Sequence, residues 1–154
     1  MRLLGMAAEP KVLATEELDD LVSRLAELCD RFGVVLMYLH GSHGNGTHGH
    51  LSDLDIAVLL GSDAASEGRK QLELLAALQE TSGREDVDLI VLNTAGSIIK
   101  DRVVRHGRLV YAGNQSIRVR FEAATIKEAL DFEYFSRVYD DALFTQLREG
   151  RFLG

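Results

Sequence analysis

Two aspartates at the head of an apolar run, downstream of a glycine-rich turn, restrict what this chain can become. The stretch reads LHGSHGNGTHGHLSDLDIAVLL, with Gly41 and Ser42 followed, ten residues on, by Asp53-Leu54-Asp55. Val34–Leu39 before the turn and Ile56–Leu60 after it are short apolar runs of strand length. Successive side chains on a strand point to opposite faces, so Asp53 and Asp55 share one. Two carboxylates side by side, with no basic residue between them, repel unless a cation joins them. Mg²⁺ answers this, because it takes oxygen ligands while keeping waters and substrate phosphates in its shell. Small glycines and a hydroxyl upstream let backbone N–H groups come close to a phosphate. The pattern describes a site for a metal-bound nucleoside triphosphate.

A third acid extends it. Asp88 stands in EDVDLIVLN, at the head of a strand expected over Val87–Leu92. An ionised carboxylate there is costly unless paired or bound to metal. If that strand lies beside the one carrying Asp53 and Asp55, three carboxylates converge, an arrangement suited to two-metal displacement at phosphorus. Taken singly, Gly-Ser is also an ordinary turn, and each aspartate also fits a solvated strand entrance. The spacing of the set is what singles it out.

Gly41-Ser42, ten residues, Asp53-x-Asp55 and then Asp88 in VDLIVLN resemble the DNA polymerase β nucleotidyltransferase superfamily. More narrowly, the chain resembles the minimal nucleotidyltransferases, the antitoxin half of bacterial HEPN–MNT pairs, from about Val34 to Asn114. The resemblance implies that Gly41 and Ser42 hold the triphosphate end of the nucleotide, with Asn45 and Gly46 in the same loop. Asp53, Asp55 and Asp88 would be the metal ligands, for two Mg²⁺ ions, and Asp88 would also help draw a proton from the acceptor hydroxyl. Gly44 and Gly46 match the family's tight-turn positions. Asn45 departs from the basic residue that many relatives carry there, which removes one phosphate contact.

Length and charge narrow the class. A chain of 154 residues can bury one substantial core, so a single domain over 1–154 is expected, with a core of about 15–114 and a C-terminal helix of about 117–149. The net charge of −7 gains nothing from the phosphate-backbone term that drives nucleic-acid binding, so action on a duplex is not expected. The lone Cys29 on the apolar side of a predicted helix, with no signal peptide and no span for a membrane, fits a reducing, cytoplasmic setting. His40, His43, His48 and His50 crowd together without a cysteine or helical zinc spacing, and read as a His-rich polar loop rather than a transition-metal centre.

Periodicity gives the remaining elements. Leu18, Leu21, Val22, Leu25, Leu28 and Phe32 form the stripe of an amphipathic helix stopped by Gly33. A second helix is expected over Arg69–Gln79, a short one over Ser97–His106, and a fourth, edge strand over Arg108–Tyr111. The result is an α/β domain with a mixed sheet flanked by helices. A long helix, Val119 to Arg148, ends the chain. Its aromatics occupy more than one face, which one domain does not cover alone. Packing across the sheet is one use for them. Docking of a partner through Phe132, Phe135 and Tyr139 is the other, with Glu128, Asp131, Asp140 and Asp141 turned to a basic surface.

The resemblance implies transfer of AMP from ATP to a tyrosine hydroxyl of a HEPN ribonuclease toxin, which neutralises it. Two rival classes stay open from the residues alone. One is a small-molecule nucleotidyltransferase of the aminoglycoside-modifying kind, and the other is a non-catalytic antitoxin that acts by binding. Homo- and hetero-association through the last helix are likewise both open.

Overall fold

The computed structural model describes residues 15–41, 53–65 and 68–150. Helix α1 (Thr15–Phe32) leads through Gly33, at φ 67°, into strand β1 (Val34–Leu39). Strand β2 (Leu54–Leu60) is followed by a one-turn helix α2 (Ser62–Ala65) and by α3 (Gly68–Ser82). Gly83, at φ 66°, ends α3 in the left-handed conformation that glycine adopts without steric cost. Strand β3 (Val87–Val91), helix α4 (Ser97–His106), strand β4 (Arg108–Ala112) and helix α5 (Gln115–Arg148) complete the order.

The four strands form one mixed sheet in the order β3-β2-β1-β4. Strand β1 pairs antiparallel with both β2 and β4, whereas β2 and β3 run parallel. The parallel step needs a crossover, which α2 and α3 supply. Alternation then sorts the strand side chains. Met37, Leu39, Leu54, Ile56 and Val58 pack beneath α1 and α3 with Leu21, Leu25, Leu74 and Leu78. Leu36, Tyr38, Ala57, Ile90 and Leu92 line the other face, under Val103 of α4 and Phe121 of α5. Asn93 ties off the end of β2, accepting from Leu60 N and donating to Leu60 O, both at 2.9 Å. Cys29 is fully buried in the first of these layers, and burial, with Asp30 behind it, pushes its thiol up to about 12.

Helix α5 starts four residues before the expected Val119. Asn114 caps it, its side chain accepting from Ser116 N at 2.8 Å and Ile117 N at 3.2 Å. Its first half belongs to the domain. Tyr38 Oη donates to Glu122 at 2.9 Å, Thr125 is buried, and Lys100 pairs with Glu128 at 3.1 Å. Among the described residues from Asp131 onward only Leu143 is even half-buried, and Phe132, Phe135, Tyr139 and Phe144 are exposed. So the long helix divides its work, completing the core with one half and leaving the other uncovered. Two acids expected to face a partner are engaged within the chain, Glu128 with Lys100 and Asp131 with Lys127. No helix among the described residues is long and apolar enough to cross a membrane.

Candidate active site

The acids meet where the parallel strands begin. Asp55 and Asp88 are direct partners in the β2–β3 register, so they lie side by side at the strand spacing of roughly 5 Å. Both share the parity of Ala57 and Ile90 and therefore occupy the α4–α5 face of the sheet. Asp53 lies one residue ahead of β2, exposed, at the position that alternation assigns to the same face. Among the described residues no three His, Cys, Asp or Glu side chains are grouped to hold a metal ion. The structure thus pairs Asp55 with Asp88 but does not gather Asp53 with them, because Asp53 precedes the strand that would fix its direction.

Gly41 fits around them. Its φ is +66°, and a Cβ at this position would overlap Asp55 Oδ2, so the chain passes the carboxylate at a distance only glycine allows. A hard-oxygen donor set on an open strand edge, next to bare backbone, suits Mg²⁺, which needs one or two carboxylates and keeps water and phosphate. Ser42, Asn45 and Gly46, with Gly44, His43, His48 and His50, lie outside the described residues.

His40 adds a group that the sequence reading had set aside with the other histidines. The β1–β2 register pairs Leu39 with Ile56, and His40 N donates to Asp55 O at 3.0 Å, so His40 stands opposite Asp55. His40, Asp55 and Asp88 form a row across three neighbouring strands. Burial lowers the imidazole below its ordinary value, Asp55 and Asp88 pull it back up, and Arg102 pushes it down again. Its Nε2 is buried without a hydrogen-bond partner among the described residues. The signal was present in the sequence, since His40 follows Leu36 and Tyr38 at strand spacing.

Arg84 holds the other side. It donates to both oxygens of Asp86, at 2.9 and 2.8 Å, and the backbone oxygen of Asp86 accepts from Leu54 N at 2.9 Å. That pair pins the turn before β3 to the start of β2, and so fixes Asp88 relative to Asp55. The bond to Asp86, with the charge of Asp53 a lesser contribution, raises the guanidinium against the opposing effect of its burial. A concavity of about 400 Å³ beside Phe32, Gly33, Gly61 and Lys70 lies at the opposite end of the strands, away from these acids.

Residues 23–116 match the polymerase beta nucleotidyltransferase family. The chain belongs to that family. It is 35% identical over 82 residues to the protein adenylyltransferase MntA of Shewanella oneidensis, a stretch that is 52% of this chain and 55% of the relative. The chain thus spans about half the length of that curated relative. Among solved structures, a toxin-antitoxin with AMP-PNP contains a chain matched at TM-score 0.65 and 26% identity, over 80% of this chain and 98% of that one. A tri-AMPylated Shewanella oneidensis HEPN toxin in complex with MNT antitoxin gives TM-score 0.63 at 23% identity, over 82% and 98%, and supports the fold. Within the matched residues, Asp55 lies on β2 and Asp88 on β3, the two parallel strands of the sheet, with Asp53 one residue ahead of β2.

Proposed function

We propose that this protein is a Mg²⁺-dependent protein adenylyltransferase antitoxin, which transfers AMP from ATP to a tyrosine hydroxyl of a cognate HEPN toxin in the cytoplasm. The observation that carries the reading is the in-register pair of Asp55 and Asp88 against a positive-φ Gly41, within a family of nucleotidyltransferases. Likeness to an adenylyltransferase, and to a toxin-antitoxin chain crystallised with an ATP analogue, supports the substrate and partner.

Each group then has a task. Gly41, with Ser42, Asn45 and Gly46 of the following loop, receives the triphosphate through backbone N–H groups. Asp53, Asp55 and Asp88 would hold Mg²⁺, expected as two ions, whose charge would offset that of the phosphates and make the acceptor hydroxyl easier to deprotonate. The hydroxyl oxygen attacks the α-phosphorus in line, and the bond to the β-phosphate oxygen breaks. Pyrophosphate leaves with the electron pair, and Asp88 helps take the hydroxyl proton. The protein forms no covalent intermediate, so positioning and electrostatics carry the rate.

The acceptor is brought by α5. Chain direction carries this helix from the edge where β4 ends, past Tyr38 and Lys100, towards the edge bearing the acids. At 34 residues it is about 50 Å long, far longer than the sheet is tall. Phe132, Phe135 and Tyr139 recur at helical spacing on one face of its uncovered half, beside an open cleft of about 650 Å³ between α4 and α5. A toxin helix seated there sits next to the catalytic edge. Exposed aromatics of this kind anchor interfaces.

Two variants separate docking from chemistry. Phe135→Glu/Tyr139→Glu is expected to weaken the toxin complex by about 10²-fold or more, as loss of hot-spot aromatics does, while AMP-PNP binding stays unchanged. Asp53→Ala/Asp55→Ala is expected to keep the complex but fail to restore growth to cells expressing the toxin. Full protection by that second variant would favour neutralisation by occlusion instead.

A further inference from the structure

Helix α5 carries a stripe whose steps alternate between four and three residues. Phe121, Thr125 and Glu128 begin it, and Phe132, Phe135, Tyr139, Ala142 and Gln146 continue it. That spacing keeps one face of a helix turned to a partner helix over several turns. The first three residues stand against the domain, with Phe121 packed on the core, Thr125 buried and Glu128 paired with Lys100. From Phe132 on, the same stripe is uncovered among the described residues.

Charge is absent from this part of the stripe and from both its flanks. Ser136 and Leu143 border it on one side, Val138 and Thr145 on the other. Glu133, Arg137, Asp140 and Asp141 all fall on the remaining arc of the helix. Flanking charges are what usually set partner choice between paired helices. Without them no like charges oppose an identical face, although the whole chain carries −7. Side-chain sizes match in the same way. In an antiparallel pair with its two-fold axis at the level of Arg137, Phe135 of each copy meets Tyr139 of the other, and Phe132 meets Ala142. Aromatic faces aromatic at the centre, and large faces small at the ends. A parallel pair would set alanine on alanine and leave a void. Opposed helix dipoles also favour the antiparallel sense. Phe132, Phe135 and Tyr139 are exposed by 52%, 68% and 69%, which is roughly 400 Å² of surface per copy. With their flanks, pairing removes about 1,000 Å² in all from water, the lower edge for a specific interface. Such a pair is weak and reversible.

We propose that the uncovered half of α5 pairs antiparallel with its counterpart on a second copy of this chain. The pairing itself stands apart from the adenylyl-transfer reading, but its consequence rests on that reading. Phe132, Phe135 and Tyr139 are the residues assigned above to toxin docking, so a paired chain cannot seat the toxin on them. The free antitoxin covers its own docking face, and the toxin displaces the second copy.

Sedimentation equilibrium of the full-length protein measures the pairing directly. Across about 1 to 500 μM the average mass is expected to rise from one chain towards two. Phe135→Glu/Tyr139→Glu is expected to weaken the pair by about tenfold or more. Phe144→Glu, which changes an exposed aromatic on the far arc, is expected to match the wild type. Ser136→Cys, close to the axis, is expected to cross-link to itself with a short bis-maleimide. Gln146→Cys is expected not to, since its two copies lie about 27 Å apart along the pair. The native Cys29 is buried and leaves the wild type without a cross-link. The cross-linked pair is expected to bind the HEPN toxin at least about tenfold less tightly than the same variant before cross-linking. A single-chain mass at every concentration would overturn the pairing, as would equal weakening by Phe144→Glu or a cross-link through Gln146→Cys. Equal toxin binding before and after cross-linking would overturn the covering of the docking face. AMP transfer enters none of these readings, so its absence would sink the adenylyl-transfer reading and leave the pairing intact.

Discussion

Asp88→Asn should lower the rate of pyrophosphate release about 10²- to 10³-fold, the scale of losing one group that holds charge in a phosphoryl-transfer site. The same substitution should leave the metal-free protein as stable as before, or raise its melting temperature slightly. Asp88 is exposed, so asparagine opens no cavity. It also ends the repulsion between two carboxylates that face each other across β2 and β3, a like-charge pair that costs about 0.2–1 kcal/mol. For a domain of this size such a gain corresponds to a few degrees at most. Opposite signs in activity and stability are the mark of a residue kept for chemistry. Initial rates and a thermal melt in a chelator measure both. An unchanged rate, or a lower melting temperature, would contradict this placing of Asp88.

Gly41→Ala should be nearly as damaging, for a geometric reason. Two costs arise at once. The backbone at φ +66° disfavours any side chain by about 1–2 kcal/mol, and the new Cβ falls on the Asp55 carboxylate. Either the turn or Asp55 has to move, and a displacement of about 1 Å at a reacting centre costs on the order of 10²-fold in rate. Gly83 separates the two costs. It has the same φ of +66°, but nothing lies within 4 Å of its Cβ position. Gly83→Ala should therefore show the stability loss of about 1–2 kcal/mol in urea and keep full activity. Equal activity for the two glycine variants would show that the close pass of Gly41 against Asp55 is not what the site depends on.

Much of this arrangement was legible in the chain, for identifiable reasons. Val34–Leu39 and Ser97–His106 were read at their observed bounds, because Gly33 and Gly107 punctuate apolar patterns of clear period. One element was missed, and one helix, expected with its observed end, starts earlier than expected. Helix α2 is one turn long and has no apolar stripe, and α5 begins earlier than its first strong apolar repeat because a polar side chain, Asn114, caps it. Alternation assigns Asp53 and Asp55 to one face, but β2 starts at Leu54 and so fixes Asp55 alone. The register that sets Asp55 beside Asp88 could not be read, because it depends on β1 lying antiparallel on the other side of β2. His40 was half visible, at strand spacing from Tyr38 but grouped with loop histidines.

The most direct measurement is intact-mass spectrometry of the cognate HEPN protein after incubation with this chain, ATP and Mg²⁺. The account predicts a gain equal to one AMP residue, or a whole multiple of it, on the partner and absent from the chain itself. The gain should disappear with Asp53→Ala/Asp55→Ala and map to a tyrosine. An unmodified partner in a stable complex, with ATP intact, would contradict the account and leave neutralisation by binding in its place.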